Sequence, residues 1–315
     1  MTPWTRPTKD TGNVVLDRSQ FIGGSDAAAV VGMSRWSTPL HVWAEKTGQI
    51  ETHQLDSEAA ELGTYLEEYV ARRFTKETGK KVHRVNETRF HPKYPFLGAN
   101  IDRRVVGEEA ILECKTTSAW KAKEWDGEEI PHEYIIQVTH YLAVTGAKKA
   151  YIAVLIGNQD FKWKTIERDE KLIQNIISRE VEFWNKFVVP KVMPTTVSKN
   201  DSDTLYQLFP VASPESTVDL GDEGARLIES RNALYQDAIT LEGHIAEVEN
   251  SLKAMIKDNE SGMAGKWKVY WQNQSQTRLD TKRIKLEIPE IYSKYGTVSK
   301  FRKLVVREES TNGKR

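Results

Sequence analysis

Apolar positions along this chain change period several times, and the changes outline its elements. GGSDAAAVVGM from Gly23 reads as a short helix, capped by Ser25 or Asp26 and ended by Gly32. PLHVWAEKTG reads as a second, opened by Pro39 and closed by Gly48. A longer helix is predicted from about Ser57 to Gly79, where Leu62, Tyr65, Leu66, Tyr69 and Val70 keep helical spacing. Strand-like runs follow near 81–90, 96–106 and 110–117, with a turn at Gly107 between the last two. HEYIIQVTHYLAVTG is a helix between Pro131 and Gly146. YIAVLIG from Tyr151 has the pattern of a buried strand and FKWKTIERD that of an alternating one; a helix from about Glu170 to Phe187 follows. This order predicts a mixed α/β domain on a central sheet.

From Pro190 to about Thr217 the chain is rich in Pro, Ser, Thr and Asp and reads as a linker. In the helical run from about 222 to 258, Leu227, Leu234, Ile239, Leu241, Ile245, Val248, Leu252 and Ile256 recur largely at three- and four-residue steps or their sums. That is half of a helical hairpin or a coiled coil. After Gly262 come a strand-like KWKVYWQNQ, a short helix PEIYSKYG and a strand SKFRKLVVRE; the first twenty residues are a polar lead-in, and the closing ESTNGKR should fray. The expected organisation is an α/β domain over 1–195, a linker over 196–217, and a mainly helical extension with a small β element over 218–315.

Composition narrows the function classes. At 315 residues with 39% apolar and 29% charged side chains, the chain can bury a proper core and stay soluble. Its 45 Lys and Arg balance 45 Asp and Glu, so any nucleic-acid surface must be local. A single cysteine, Cys114, excludes internal disulfides, zinc ribbons and four-cysteine iron–sulfur sites, and fits a reducing cytoplasm. No apolar run approaches the roughly 18–20 residues of a membrane span, and MTPWTRPTKD lacks a signal-peptide core.

The chemistry concentrates in Gly98–Lys115. Asp102 lies in one strand-like run, and Glu113 opens the triplet Glu113-Cys114-Lys115 in the next. Adjacent strands can bring two carboxylates and an ammonium to one point, a set that holds a divalent ion and orients water against a phosphodiester. Alone, such a triplet is commonly a solvated strand. Four features add to it: Glu67, one turn after Gly63 on the long helix; Gln137 with Tyr141, four apart on the next; Ser25 at a helix N-terminus; and Arg18, seven residues earlier. The plain alternatives are an exposed glutamate (preferred for Glu68), a surface glutamine above a core tyrosine, an ordinary cap and a surface arginine. His83, His91, His132 and His140 are scattered and read as structural or surface residues, which argues against zinc.

Together, the segments from Arg18 (RSQFIGGSD), Leu62 (LGTYLE), Gly98 (GANID), Glu113 (ECK), Gln137 (QVTHY) and Ile166 (IERDEK) resemble the YqaJ-type viral recombinases over residues 16–190. That family includes phage lambda exonuclease and belongs to the PD-(D/E)XK nuclease superfamily. The resemblance implies a restriction-endonuclease-like core, with a mixed central sheet flanked by helices. It implies that Asp102, Glu113 and the Cys114 carbonyl bind Mg²⁺, with Mn²⁺ able to substitute, and that Glu67 binds or approaches a second ion. Lys115 would orient the attacking water, Gln137 would position that water or the ion, and Tyr141 completes the Q-x-x-x-Y pattern. Arg18 and Ser25 would face a terminal 5′-phosphate. Ile101 stands where the superfamily usually has proline.

The implied activity is a 5′-to-3′ double-stranded DNA exonuclease leaving 3′ overhangs for a single-strand annealing protein. The implied assembly is a toroidal homotrimer, and the setting the cytoplasm of a bacterial host, phage or prophage encoded. Two readings stand beside it: a structure-specific or nicking endonuclease of the same fold, and a non-catalytic DNA-binding scaffold. Arg72, Lys80 and the pair Lys121 and Lys123 are candidates for a basic lining. Trp36, Trp120 and Trp125 could stack on bases, with ordinary packing expected for at least two. The extension has no counterpart in phage lambda exonuclease; it is either an interaction module or a hairpin packing back on the first domain.

Overall fold

The computed structural model describes residues 18–51, 58–195, 198–299 and 301–308. Most of the polar lead-in and the fraying end lie outside these residues. The chain forms two units, Met1–Pro210 and Val211–Arg315.

In the first unit, helices α1 (Gly24–Val30), α2 (Pro39–Lys46) and α3 (Glu58–Thr78) precede strands β1 (Val82–Arg84), β2 (Arg89–Phe90), β3 (Gly98–Ala99), β4 (Arg103–Val105) and β5 (Ala110–Thr117). Helix α4 (His132–Thr145), strands β6 (Lys149–Ile156) and β7 (Asp160–Glu167), and helices α5 (Glu170–Phe183) and α6 (Asp201–Leu208) complete it. Five strands form one sheet in the order β1-β4-β5-β6-β7. Only β5 and β6 run parallel, because α4 carries the chain back between them. This is the expected mixed α/β core, a central sheet flanked by helices.

Strand β5 shows how the sheet is seated. Ala110 and Leu112 pack in one cluster with Val70, Ala71 and Phe74 of α3. Ile111 packs on the other side with Val138 and Leu142 of α4. Side chains alternate along a strand, so Glu113 and Lys115 share the α4 face while Cys114 falls on the α3 face.

Four expectations need correcting. The strand expected over 96–106 is two: β3 pairs with β2 in a small separate sheet, and β4 joins the main one. The chain changes sheets between Ala99 and Arg103, so Asp102 sits on the bend, not within a strand. On α3 the helical period holds but the face differs: Val70 is buried, whereas Leu62, Tyr65 and Tyr69 are exposed. The linker contains α6, whose start is closed by Asp201 accepting from the Ser198 amide at 2.9 Å. Thr204 of α6 meets His41 of α2 at 3.1 Å; residues 196–197 of that segment lie outside the described ones. Finally, the strand expected near the C-terminus is absent among the described residues 301–308, where no partner strand is offered.

The β4–β5 turn carries an acid clamp. Glu108 accepts from Lys80, from Lys149 at 2.9 Å and from the Tyr151 hydroxyl at 2.8 Å. These bonds hold its carboxyl at about 2. A depressed carboxyl stabilises the fold above its unfolded value and loses that contribution as pH falls toward the folded one. Thermal melts from pH 5 to pH 2 should therefore fall more steeply for wild type than for Glu108→Gln; parallel curves would refute the clamp.

The second unit is α7 (Gly221–Ile256), a hairpin of β8 (Ser261–Ala264) and β9 (Trp267–Tyr270), and short helices α8 (Thr281–Glu287) and α9 (Pro289–Tyr295). The long helix expected over 222–258 is α7. Among the described residues, no helix is long and apolar enough to cross a membrane.

Candidate active site

Three backbone features assemble the site. Ile22 pairs with Leu97, its amide donating to Phe96 O at 2.8 Å and its carbonyl accepting from Gly98 at 2.9 Å. This lays the Arg18–Ser25 segment beside the GANID run. Gly98 makes the approach possible, since a Cβ there would stand 2.5 Å from the Phe21 ring. The β4–β5 hairpin then sets Asp102 against β5, and α4 crosses over Glu113 and Lys115.

Asp102 Oδ2 accepts the Cys114 amide at 2.7 Å. This bond uses the Cys114 N–H and leaves its carbonyl, the ligand atom the resemblance implied, a separate group. The thiol lies on the opposite face, and burial, then the Asp102 and Glu113 charges, raise its pKa. Glu113 is 3% exposed. Its Oε1 accepts from Gln137 Nε2 at 2.9 Å and lies 2.7 Å from Lys115 Nζ; its buried Oε2 has no hydrogen-bond partner. Lys115 also donates to Gln137 Oε1 at 3.1 Å, and its ammonium lies 4.9 Å from the centre of the Tyr134 ring. Gln137 completes its set by donating to the Tyr141 hydroxyl at 3.0 Å. Its amide orientation follows: oxygen toward the ammonium, nitrogen toward carboxylate and phenol.

Electrostatics match this crowding. Burial and the Glu113 charge push Asp102 well above the usual carboxylate range; Glu67 adds to the shift, and the Cys114 amide opposes it. Burial works against the Lys115 ammonium, but Glu113 and Asp102 outweigh it and raise its pKa. The Tyr141 phenol is raised by burial and then by Glu113, so it stays protonated.

Other expected residues fall less simply. Glu67 stands close enough to Asp102 to act on its charge, yet its carboxylate pairs with Arg103, which also reaches Glu68 Oε2 at 3.1 Å. Arg103 is buried, and sequence reasoning missed it, although it directly follows Asp102. Ser25 does not cap α1; the Gly23 amide donates to Asp26 Oδ2 at 2.9 Å, while Ser25 Oγ accepts from Arg18 at 3.1 Å. Lys46 reinforces this corner, 2.7 Å from both Asp26 Oδ2 and the Arg18 carbonyl. Tyr141 is buried under Gln137 and turns its hydroxyl to that amide. Of His83, His91, His132 and His140, the last is fully buried, with Nδ1 2.7 Å from Glu180 Oε1 and Nε2 2.9 Å from the Gly98 carbonyl.

Among the described residues, no three of Asp, Glu, His and Cys form a ready cation cage. The donor set nevertheless suits a hard divalent ion. An unpartnered buried carboxylate oxygen lies beside a carboxyl held up by burial and by neighbouring negative charge, and a positive ion would favour the ionised form of both.

Gly24 of α1 faces Tyr141, where a Cβ would come within 2.4 Å of the ring and 3.0 Å of Gln137 Cγ. Gly24→Ala should cost about 1–3 kcal/mol by overpacking and displace Gln137. Paired urea unfolding and turnover assays would check it; wild-type stability and rate together would show that the helices give way freely.

The Trp125 side chain packs in the core, stacked on Tyr134. Trp36 is exposed and Trp120 is 96% exposed, against the expectation that at least two of the three would be packed. Lys121, next to Trp120 in the chain, places its Nζ 5.8 Å from the Trp36 ring centre, and Arg35 ties Glu124 and Glu133 together at 2.8 Å each. Buried Lys164 anchors the loop below by donating to the Trp125 carbonyl at 3.0 Å.

Residues 15–148, which contain Glu67, Asp102 and Glu113 with Lys115, Gln137 and Tyr141, match the YqaJ-like viral recombinase domain. The chain is 40% identical over 299 residues to the uncharacterized protein YqaJ of Bacillus subtilis (strain 168), covering 94% of each. It is similar to the crystal structure of an alkaline exonuclease, LHK-Exo, from Laribacter hongkongensis: 24% identity, 56% of this chain, 91% of that one, TM-score 0.49. It is also similar to a phage related exonuclease from Haemophilus somnus 129PT: 14% identity, 54% and 96% coverage, TM-score 0.41. The match of residues 15–148 and the relative aligned along nearly its whole length identify the chain as a member of the YqaJ-like viral recombinase family.

Proposed function

We propose that the chain is a metal-dependent double-stranded DNA exonuclease that degrades one strand from its 5′ end. The observation that carries this reading is the Asp102–Glu113–Lys115 group, with a buried Glu113 oxygen left without a partner. Asp102 and Glu113 would hold Mg²⁺ or Mn²⁺, and Glu67 stands near enough to serve a second ion if Arg103 releases it. When bound, such an ion neutralises charge on the phosphate and acidifies a water. Glu113 keeps the Lys115 ammonium charged and in place, where it can stabilise negative charge on a phosphate held beside it. Gln137 orients Lys115 and Glu113 at once, and its orientation is locked by Tyr141.

Direction is assigned to Arg18 and Ser25. Their 3.1 Å contact lies on the segment that β3 brings toward the acids, and both can bond a terminal phosphate. The exposed rings of Trp36 and Trp120 beside Lys121 suit the end of a duplex, where a base can stack. The family setting favours 3′ overhangs passed to an annealing protein, and a homotrimer enclosing the duplex.

The test is digestion of linear duplex labelled at the 5′ or the 3′ end, in Mg²⁺ or EDTA, beside a closed circle. Early 5′ label release that needs Mg²⁺ and spares the circle supports the proposal; cleavage of the circle makes the protein an endonuclease. Trp120→Ala should weaken apparent affinity for duplex ends about tenfold at little cost to maximal rate. A change in maximal rate alone would remove Trp120 from end recognition.

A further inference from the structure

The second unit carries a surface that the proposed chemistry does not use. Residues 259–308 hold eleven Lys or Arg against five Asp or Glu, although the whole chain is neutral. The β8–β9 hairpin opens this stretch. In β9 and its continuation, Trp267 is 67% exposed, Tyr270 58% and Trp271 50%. Lysines interleave with these rings: Lys266 Nζ lies 5.2 Å from the Trp267 ring centre, and Lys268 Nζ lies 5.0 Å from that of Tyr270.

The hairpin is built, not frayed. Ser261 pairs with Tyr270 and Ala264 with Trp267, Gly265 takes the left-handed turn position, and the Trp271 amide extends the pairing to Glu260 O at 2.9 Å. Gly262 seats it on α7, where an added Cβ would stand 3.4 Å from Ile256. By strand alternation Trp267, Val269 and Trp271 share one face, and Lys268 and Tyr270 the other. Rings held out to solvent among ammonium groups serve poorly as a core. They form a stacking platform for unpaired bases, with cations for the phosphates between them. A duplex keeps its bases stacked and offers no ring faces along its length. The amide-rich segment that follows, Gln272–Thr277, can bond base edges.

We infer that this hairpin and the basic segment after it bind single-stranded DNA, through residues other than those of the hydrolytic centre. The inference rests on the nuclease reading only for the strand being DNA.

The test uses full-length protein carrying Glu113→Gln, in EDTA so that nothing is cut, with a fluorescein-labelled oligothymidylate followed by anisotropy across a salt series. Trp267→Ala with Trp271→Ala should weaken binding by about ten- to a hundredfold, and the Phe pair should restore most of it. Lys266→Gln with Lys268→Gln should flatten the salt slope by roughly one to two. Circular dichroism of each variant shows whether the fold is kept; the exposed Phe pair remains informative if the Ala pair is damaged. Unchanged affinity in a folded Ala pair would overturn the inference, as would unlabelled blunt duplex competing as well as oligothymidylate. The two readings fail separately. Hairpin-dependent binding without cleavage by the otherwise wild-type protein refutes the nuclease alone. Cleavage with hairpin-independent binding refutes this site alone.

Discussion

Glu113→Gln should abolish hydrolysis of linear duplex, lowering the rate on the order of 10³-fold or more, while the protein melts no lower than wild type in EDTA. The two halves have one cause. Glu113 is buried with one oxygen unpartnered, and its charge helps to hold Asp102 above its ordinary range. A neutral amide of the same shape removes that repulsion, so the metal-free fold loses little. It also removes a carboxylate donor and the strongest partner of Lys115, whose pKa Glu113 raises. Manganese titration by calorimetry and end-labelled digestion, both referenced to the thermal melt, would check this. An active Glu113→Gln enzyme would show that the hydrolytic centre lies elsewhere.

The largest effect on stability is expected at Glu180, away from the acids. Glu180→Ala should cost about 3–5 kcal/mol in urea unfolding, because it strips the partner from a buried histidine. His140 Nε2 donates to the Gly98 carbonyl, leaving Nδ1 and Glu180 Oε1 to share one proton across 2.7 Å. Burial opposes the charged ring, but Glu180 outweighs it and raises the His140 pKa. A raised histidine stabilises the fold fully below its unfolded value, about 6.5, and loses that contribution as pH rises through the folded value. Wild type should thus lose stability above pH 6.5 along a slope that Glu180→Ala lacks. Glu180→Gln should fall between them, since its amide can donate to a neutral Nδ1. An Ala variant as stable as wild type at pH 6 would refute the account.

These two residues also mark what could be read ahead of the structure. The acid pair and its lysine were readable because strand alternation alone puts Glu113 and Lys115 on one face. The Glu180 pairing was not: forty residues separate it from His140, and neither helix signals a polar contact on its apolar side. Asp102 stands out in the sequence as a candidate acid, but nothing in FLGANIDRRVV marks where the chain changes partner strands, so the bend that carries it is hidden. On α3 the period of Leu62, Tyr65 and Tyr69 was correct, yet which face meets the sheet depends on where β5 and β6 lie. Helix α6 is hidden within a linker-like composition, because Ser and Asp residues suit loops and caps equally. SKFRKLVVRE reads as a strand, yet a strand needs a neighbour. The Glu67–Arg103 pair is a tertiary contact, so nothing in the order of the residues marks that Glu67 shares its carboxylate with a buried guanidinium.

The single parallel pairing in the sheet has a consequence for how the molecule comes into being. Asp102 and Glu113 meet through a local hairpin, a contact that closes on the microsecond scale. The seat for Gln137 needs β6 beside β5, which closes a loop through all of α4 and is slower. During refolding, activity should therefore return after most of the secondary structure, in step with the docking of β6. On the ribosome the same order holds: a chain arrested before Ile156 carries both acids but lacks the complete strand that seats their orienting amide. Truncated copies should be inert.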